Sequence, residues 1–309
     1  MAYVILHAPS ALGLSVGGVD ALGDALVAAG LAERLGARVA GRADAPAGSG
    51  RRDPETQVLN GRALAEYART LADAVGPLLS GPSVDGASGE VPLVLGGDCS
   101  ILLGTALALR RRERAGHGRP GLLFLDGHLD FAGPEDDPNG EAASMELGLA
   151  TGEGPPALAD LEGLGPLLRR EDVAALGMRD GLQPEGSPEH VTHAEVPGLW
   201  RADLPAVRRQ GAEAAARAAV AHLTRPGGPD HFWIHLDADV LDDALMPAVD
   251  YHMDGGLTWD ELSAVLRVAV ATGRVAGVEV AIFNPRLDAR GDVARRFVDA
   301  LVAGLAPAA

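Results

Sequence analysis

The chain has 309 residues, 47% of them apolar and 22% charged, a composition that excludes a disordered chain and allows one large buried core. Its net charge of −17 repels phosphate backbones and anionic membranes, so we expect neither a nucleic-acid partner nor membrane association. We expect a single domain over residues 1–309.

Short runs rich in Leu and β-branched residues alternate with Ala-rich segments of helical spacing. This alternation is typical of parallel strands connected by helices, so an α/β fold is predicted. The predicted strands are residues 3–7, 92–95, 122–125, 173–176, 232–236 and 275–280. The predicted helices are residues 21–35, 62–79, 102–115, 213–223, 259–272 and 294–303.

Two features bear on the compartment. The first residues carry no basic segment before their apolar run, and no stretch reaches about 18 uninterrupted apolar residues. Cys99 is the single cysteine, which excludes an internal disulfide framework. We therefore expect a cytoplasmic protein.

The predicted strand 122–125 is followed by Asp126, His128 and Asp130. If the backbone stays extended, alternation directs the three side chains to one face beyond the carboxyl end of the strand. In an open α/β sheet, ligands bind at that edge.

The predicted strand 232–236 ends in the same way, with Asp237 and Asp239. One Asp-x-Asp after a strand is often only a helix cap or a turn. Four carboxylates and an imidazole from two converging strand ends, however, would repel each other strongly without divalent cations. Such oxygen-rich ligands suit Mn²⁺.

A third strand, residues 91–95, runs into Gly96 and Gly97 before Asp98, Cys99 and Ser100. Glycines allow the residues that follow to approach a site closely. By itself this signal is weak, because a lone buried cysteine is usually a small core residue.

Residues 96–100, 126–130 and 237–239 together resemble the ureohydrolase family, in order and approximate spacing. That family includes arginase, agmatinase and formimidoylglutamase. Similar segments at 17–19, 177–180, 255–258 and 284–285 extend the resemblance over nearly the whole chain. It implies a three-layer α/β/α fold with a central, mostly parallel sheet, which histone deacetylases share.

The resemblance also implies two metal ions, with manganese expected and zinc, cobalt or nickel as alternatives. One ion would be held by Cys99, Asp126, Asp130 and Asp237, and the other by Asp126, His128, Asp237 and Asp239. Asp126, His128 and Asp130 are the candidate catalytic residues. Water between two cations has a lowered pKa and can attack an amidine or guanidine carbon. A trimer or hexamer is the assembly that the resemblance suggests.

The chain departs from the family at Cys99, which stands where a metal-binding His is usual. Four Asp carboxylates and one thiolate carry −5 against +4 from two divalent ions, where the usual site carries −4. This charge favours a softer metal such as Zn²⁺. We interpret Cys99 as a metal ligand. One alternative is that it lies beside a one-metal site without binding the ion. The other is that it is a nucleophile, but no nearby base is identified.

Four candidate substrate-binding positions also depart from the family or have uncertain roles. Ala143 replaces the His of a His-Gly pair near the reacting centre. Glu141 replaces a neutral side chain that receives an α-carboxylate, and it either attracts a cation or is a solvated loop acid. Ile282 replaces a Glu that grips the guanidinium group, a loss on the order of a few kcal/mol. Arg179 either pairs structurally, which we favour, or contacts substrate.

The function predicted from the sequence is metal-dependent hydrolysis of a non-peptide C–N bond in a small amidine or guanidine-like molecule. We expect arginine to be hydrolysed poorly or not at all. The alternative is a catalytically silent protein that retains metal as a structural or ligand-binding element. Deacetylation on the same scaffold is less favoured, because residues 96–100 and 284–285 resemble ureohydrolases more closely.

Overall fold

Eight strands form a single sheet in the computed structural model, which describes residues 2–79, 89–185, 187, 190–191 and 196–306. The strands are β1 (Ala2–His7), β2 (Arg38–Arg42), β3 (Glu90–Leu95), β4 (Pro120–Leu125), β5 (Val173–Leu176), β6 (Trp200–Ala202), β7 (His231–Asp237) and β8 (Val275–Ala281). Their order is β2-β1-β3-β8-β7-β4-β5-β6, and every described pair is parallel. The predicted α/β class is confirmed.

The predicted strands agree with six of these eight to within two residues at each end. Strands β4, β5, β7 and β8 are buried along their whole length, which explains their continuous apolar sequences. The sequence prediction missed the two edge strands. β2 is exposed along its length and β6 has only three residues, so neither has an apolar run.

Ten helices are described: α1 (Leu22–Ala28), α2 (Leu31–Leu35), α3 (Gly61–Val75), α4 (Leu102–Arg114), α5 (Glu146–Ala150), α6 (Pro156–Ala159), α7 (Leu204–Gln210), α8 (Ala212–Leu223), α9 (Trp259–Val270) and α10 (Asp292–Leu305). The predicted helix 21–35 is wrong as one element, because Gly30 at φ 96° separates α1 from α2. Helices α5, α6 and α7 are short and were not predicted.

The helices form two groups with contacts inside each group. One group contains α1, α2, α7, α8, α9 and α10, and the other contains α3, α4, α5 and α6. With the sheet they give the predicted three-layer α/β/α arrangement. None of the described helices has both the length and the apolar composition needed to cross a bilayer.

The strand register brings the three sequence motifs to one edge of the sheet. Leu125 at the end of β4 pairs with Leu236 of β7, so Asp126 and Asp237 follow at the same level. On the other side of β7, Asp237 pairs with Ala281 of β8, and β8 lies next to β3. The carboxyl ends of four adjacent strands therefore surround one site.

The glycine turn after β3 is fixed from both sides. Asp98 N donates to Ser10 O at 3.0 Å, and Ile282 N donates to Gly97 O at 2.8 Å. A Cβ atom at Gly97 would lie 1.7 Å from Ser10 O. This close backbone contact requires glycine and sets the position of Cys99, two residues later.

Gly97→Ala is expected to lower the free energy of unfolding by at least about 2 kcal/mol, because the backbone contact with Ser10 must open. Gly76→Ala is the matched control, since a Cβ there meets no atom within 4 Å and its φ is −48°. That variant should be as stable as the parent or up to about 1 kcal/mol more stable. Urea denaturation measures both, and equal stability of the two variants would contradict the predicted contact.

Candidate metal centre

The residues after β4 turn toward the end of β7. Asp126 Oδ1 accepts a hydrogen bond from His128 N at 2.7 Å, and Asp239 Oδ1 accepts one from Gly127 N at 3.0 Å. Asp130 has a φ of 49°. A turn, and not the extended alternation considered from the sequence, brings these side chains together.

Asp126, His128 and Asp239 form a group that we call the outer cluster, with ligand atoms all within 4.8 Å of one another. His128 Nδ1 lies 2.9 Å from Asp239 Oδ2 and 3.7 Å from Asp126 Oδ1. The His128 side chain is 18% exposed, whereas both carboxylates are buried. The outer cluster therefore meets solvent at His128.

Asp237 connects β7 to the turn that carries Cys99. Its Oδ1 accepts a hydrogen bond from Asp239 N at 2.6 Å, and its Oδ2 accepts one from Cys99 Sγ at 2.8 Å. Burial first, and then the nearby carboxylates, raise the pKa of the Cys99 thiol well above its ordinary value. A buried protonated thiol is a poor nucleophile, so the structure does not favour that alternative.

A further group was missed by sequence reasoning. Cys99, Asp126, Glu146 and His235 are buried, and one ligand atom from each lies within 4.8 Å of the others; we call this the inner cluster. His235 did have a signal, because in β7 it alternates with Asp237 and so shares its face. Glu146 had only the oddity of an acid between two apolar residues.

The two clusters bring much negative charge into a buried volume. Burial first, and then neighbouring carboxylates, raise the pKa values of Asp126, Asp130 and Asp237 well above their usual range. At Asp239, burial is outweighed by His128 and Arg179, which lower the pKa to about 2. Asp130 lies against Glu146, whose charge adds to burial in raising the pKa of Asp130; burial is also the main reason that the pKa of Glu146 is raised.

The donors fit divalent cations. Asp126 Oδ2 and His235 Nε2 are buried and have no hydrogen-bond partner among the described residues, and both oxygens of Glu146 are buried beside the Asp130 carboxyl group. Unpaired buried acceptors are costly, and a cation is the group that satisfies several at once. Oxygen, nitrogen and sulfur donors in one place are a set that transition metals bind.

Glu141 is buried, with Oε1 accepting from Ser15 N at 2.6 Å and Oε2 accepting from the Tyr251 hydroxyl. The alternative of a solvated loop acid is therefore wrong. Next to it, Ala143 N donates to Gly13 O at 3.2 Å, and the Ser144 hydroxyl donates to Asp137 Oδ2 at 2.6 Å.

Ile282 is buried and has a φ of 71°, in the left-handed region that few β-branched residues adopt. Arg179 is also buried, and its Nη2 donates to the backbone oxygens of Asp239 at 2.7 Å and Leu241 at 3.2 Å. These bonds give Arg179 a structural role at the end of β7, the alternative that the sequence favoured.

Asp126→Asn removes an anionic ligand shared by both clusters and is expected to reduce the stabilisation by metal strongly. With Mn²⁺ or Zn²⁺ at about 100 times its Kd, the parent chain should gain about 2.7 kcal/mol over EDTA-treated protein. The Asn variant should gain much less, while its EDTA-treated form should melt at the same or a higher temperature, because charge repulsion is reduced. Calorimetry measures both effects.

The exposed Asp254 on the loop after β7 offers the same Asp→Asn change as a control. Asp254→Asn should gain as much stability from metal as the parent chain. Equal metal stabilisation of Asp126→Asn and the parent would show that Asp126 does not bind the cation.

Comparison with known proteins places this geometry in a family. The sequence model described as the arginase family matches residues 44–305. The chain is 29% identical to an arginase of Bacillus caldovelox over 296 residues, which cover 94% of this chain and 93% of the relative. The structure of an arginase from the same organism superposes with a TM-score of 0.82 at 26% identity, covering 99% of this chain and 98% of the other. Formimidoylglutamase from Bacillus subtilis shares the fold, with a TM-score of 0.71 at 20% identity over 98% and 85% of the two chains. The chain belongs to the arginase family.

Proposed function

We propose that the chain is a metal-dependent hydrolase that cleaves a non-peptide C–N bond in a small amidine or guanidine-like molecule other than arginine. The observation that carries the proposal is the outer cluster, in which two buried carboxylates and a partly exposed imidazole meet at the carboxyl edge of adjacent strands. Membership of the arginase family supports the class of reaction.

Asp126, His128 and Asp239 would hold a cation that a small molecule can reach, and Asp237 connects Asp239 to Cys99 through hydrogen bonds. When bound, divalent cations supply Lewis acidity and lower the pKa of water toward neutrality. The chain itself fixes the geometry: Gly127 N holds Asp239 Oδ1, and Arg179 holds the Asp239 carbonyl. Such supporting bonds keep ligand side chains in one orientation.

Ala143 has no ionisable group, so a protein imidazole does not deliver a proton to the leaving amine from that position. A positioned general acid typically contributes about 10²–10⁴-fold to a rate. We therefore expect a slow enzyme, or a substrate whose leaving group needs little protonation.

Two positions argue against arginine as the substrate. Ile282 offers a hydrocarbon side chain where a guanidinium group needs an acceptor, which weakens the recognition of any guanidine, arginine included. Glu141 would repel an α-carboxylate, and its two oxygens are already engaged by Ser15 N and the Tyr251 hydroxyl. A substrate without a carboxylate is therefore more compatible with Glu141 at this position.

Metal-loaded protein is expected to hydrolyse at least one compound in a panel of amidines, guanidines and ureas, measured by release of ammonia or urea. Asp239→Asn should lower kcat/KM by more than the ~10–100-fold loss typical of supporting residues, because it removes a direct cation ligand. Asp254→Asn should retain the parent activity. No turnover of any compound by fully metal-loaded protein would favour the catalytically silent alternative.

A carboxylate-free guanidine such as agmatine should be a better substrate than L-arginine. Like-charge repulsion of ~1–2 kcal/mol at Glu141 corresponds to a roughly five- to thirtyfold difference in kcat/KM. Glu141→Gln should narrow that difference, and Glu66→Gln on the exposed side of α3 should leave it unchanged. Efficient hydrolysis of L-arginine by the parent chain would refute this assignment.

A further inference from the structure

His235 is held in one orientation inside the sheet. Its Nδ1 lies 2.7 Å from Glu279 Oε1 on the paired position of β8, and its ring stacks on Phe124 at 4.9 Å between centroids. The Thr105 hydroxyl donates to the other Glu279 oxygen at 2.7 Å. An Nδ1–H that donates to Glu279 leaves the lone pair of Nε2 free, and Nε2 lies 3.9 Å from Asp126 Oδ2. A carboxylate behind an imidazole is the usual support of a metal-binding His.

Glu146 begins helix α5, all five residues of which are buried. Both of its oxygens are buried, and the group beside them is the carboxyl group of Asp130. If both carboxyl groups are ionised, neither can donate to the other and they repel. Such a buried pair either retains a proton or lies beside a cation, and the nearby donors of Cys99, Asp126 and His235 favour a cation.

Sγ of Cys99 completes the group from the other side. Tetrahedral zinc bonds of about 2.0–2.3 Å place neighbouring donor atoms about 3.5 Å apart. The donors of the inner cluster all lie within 4.8 Å of one another, so small side-chain movements would bring them into contact with one ion. Each of the four residues is 0% exposed.

We propose that the inner cluster is a closed zinc site formed by Cys99, Asp126, Glu146 and His235, with Glu279 and Thr105 positioning His235. Glu146 and His235 are absent from the ligand set that the family resemblance implied. Asp130, which belongs to that set, lies beside this site and is not one of its four ligands. The proposal rests on the metal centre of the proposed function but does not require turnover.

The donor chemistry favours zinc at this position. A thiolate and an imidazole beside two carboxylates form a softer set than carboxylates alone, and four protein donors without exposure are typical of closed zinc sites. Binding releases the Cys99 thiol proton to solvent, because the thiolate is the ligand. Asp126 belongs to both clusters and would bridge the two ions.

The two clusters therefore differ in role. The inner site is closed and contains sulfur, so an ion there would be held tightly and kept away from substrate. The outer cluster has harder donors and an exposed edge at His128, so an ion there would exchange more readily and could be reached by substrate.

Titration of metal-free protein with Co²⁺ tests the inner site by a spectrum and not by activity. The first equivalent should give a sulfur-to-cobalt charge-transfer band in the near ultraviolet and strong visible bands of tetrahedral cobalt. Cys99→Ser should lose the ultraviolet band. Glu146→Gln and His235→Gln should each weaken Zn²⁺ binding at least tenfold in competition with a chelator and change the visible bands.

Glu66→Gln is the matched surface control and should behave as the parent chain. Two independent ligand variants keep the test valid if one fails to fold, and zinc X-ray absorption of the parent adds a third readout, with one sulfur and an imidazole expected. Unchanged cobalt spectra and zinc affinity in both Glu146→Gln and His235→Gln, or zinc without a sulfur neighbour, would overturn the proposal.

Asp239→Asn separates this proposal from the proposed function. It should abolish hydrolysis and keep the ultraviolet cobalt band, because Asp239 lies outside the inner cluster. An active parent whose inner-cluster variants retain normal zinc binding would contradict the closed site alone. A parent with the predicted cobalt spectrum and no activity would contradict the hydrolase alone.

Discussion

The structure depends on several carboxyl groups that are buried side by side. They outnumber the cationic side chains that the chain places beside them. Asp126, Asp130, Asp237 and Glu146 are buried within reach of one another, and burial raises the pKa of each. Against them, the chain places the imidazole of His128 and the guanidinium of Arg179. In a medium of low dielectric constant this arrangement is unfavourable without divalent cations, so their ligands and the fold have to be considered together.

The parallel sheet makes this concentration possible. The adjacent strands β3, β8, β7 and β4 all end at the same edge of the sheet. Their apolar residues are buried almost throughout. Backbone donors then orient the carboxylates: Asp239 N binds Asp237, Gly127 N binds Asp239, and His128 N binds Asp126. The same register that stabilises the core thus assembles the site.

Much of this was predictable from sequence. Buried parallel strands have continuous apolar runs, and Asp126, Asp237 and Asp239 follow such runs directly, so the fold class and the position of the site could be inferred. The edge strands β2 and β6 lack such runs. Glu146 lies sixteen residues beyond Asp130, on a short helix whose approach to the site depends on tertiary packing.

For other residues the sequence showed the side chain but not the partners that contact it in the fold. The polar local sequence left Glu141 as either a cation-attracting residue or a solvated loop acid, yet it is buried and bonded to Ser15 and Tyr251, both distant in sequence. His235 was read as part of an apolar strand. Its partner Glu279 lies 44 residues away, and only strand pairing brings the two together.

The line from Thr105 through Glu279 to His235 crosses from helix α4 to the centre of the sheet. An ion bound at His235 would therefore be connected, through these hydrogen bonds, to a helix layer as well as to the carboxyl ends of the strands. The supply of metal in the cell would then act on the quantity of folded protein, through the fraction of chains that survive proteolysis, before it acted on the rate of any reaction.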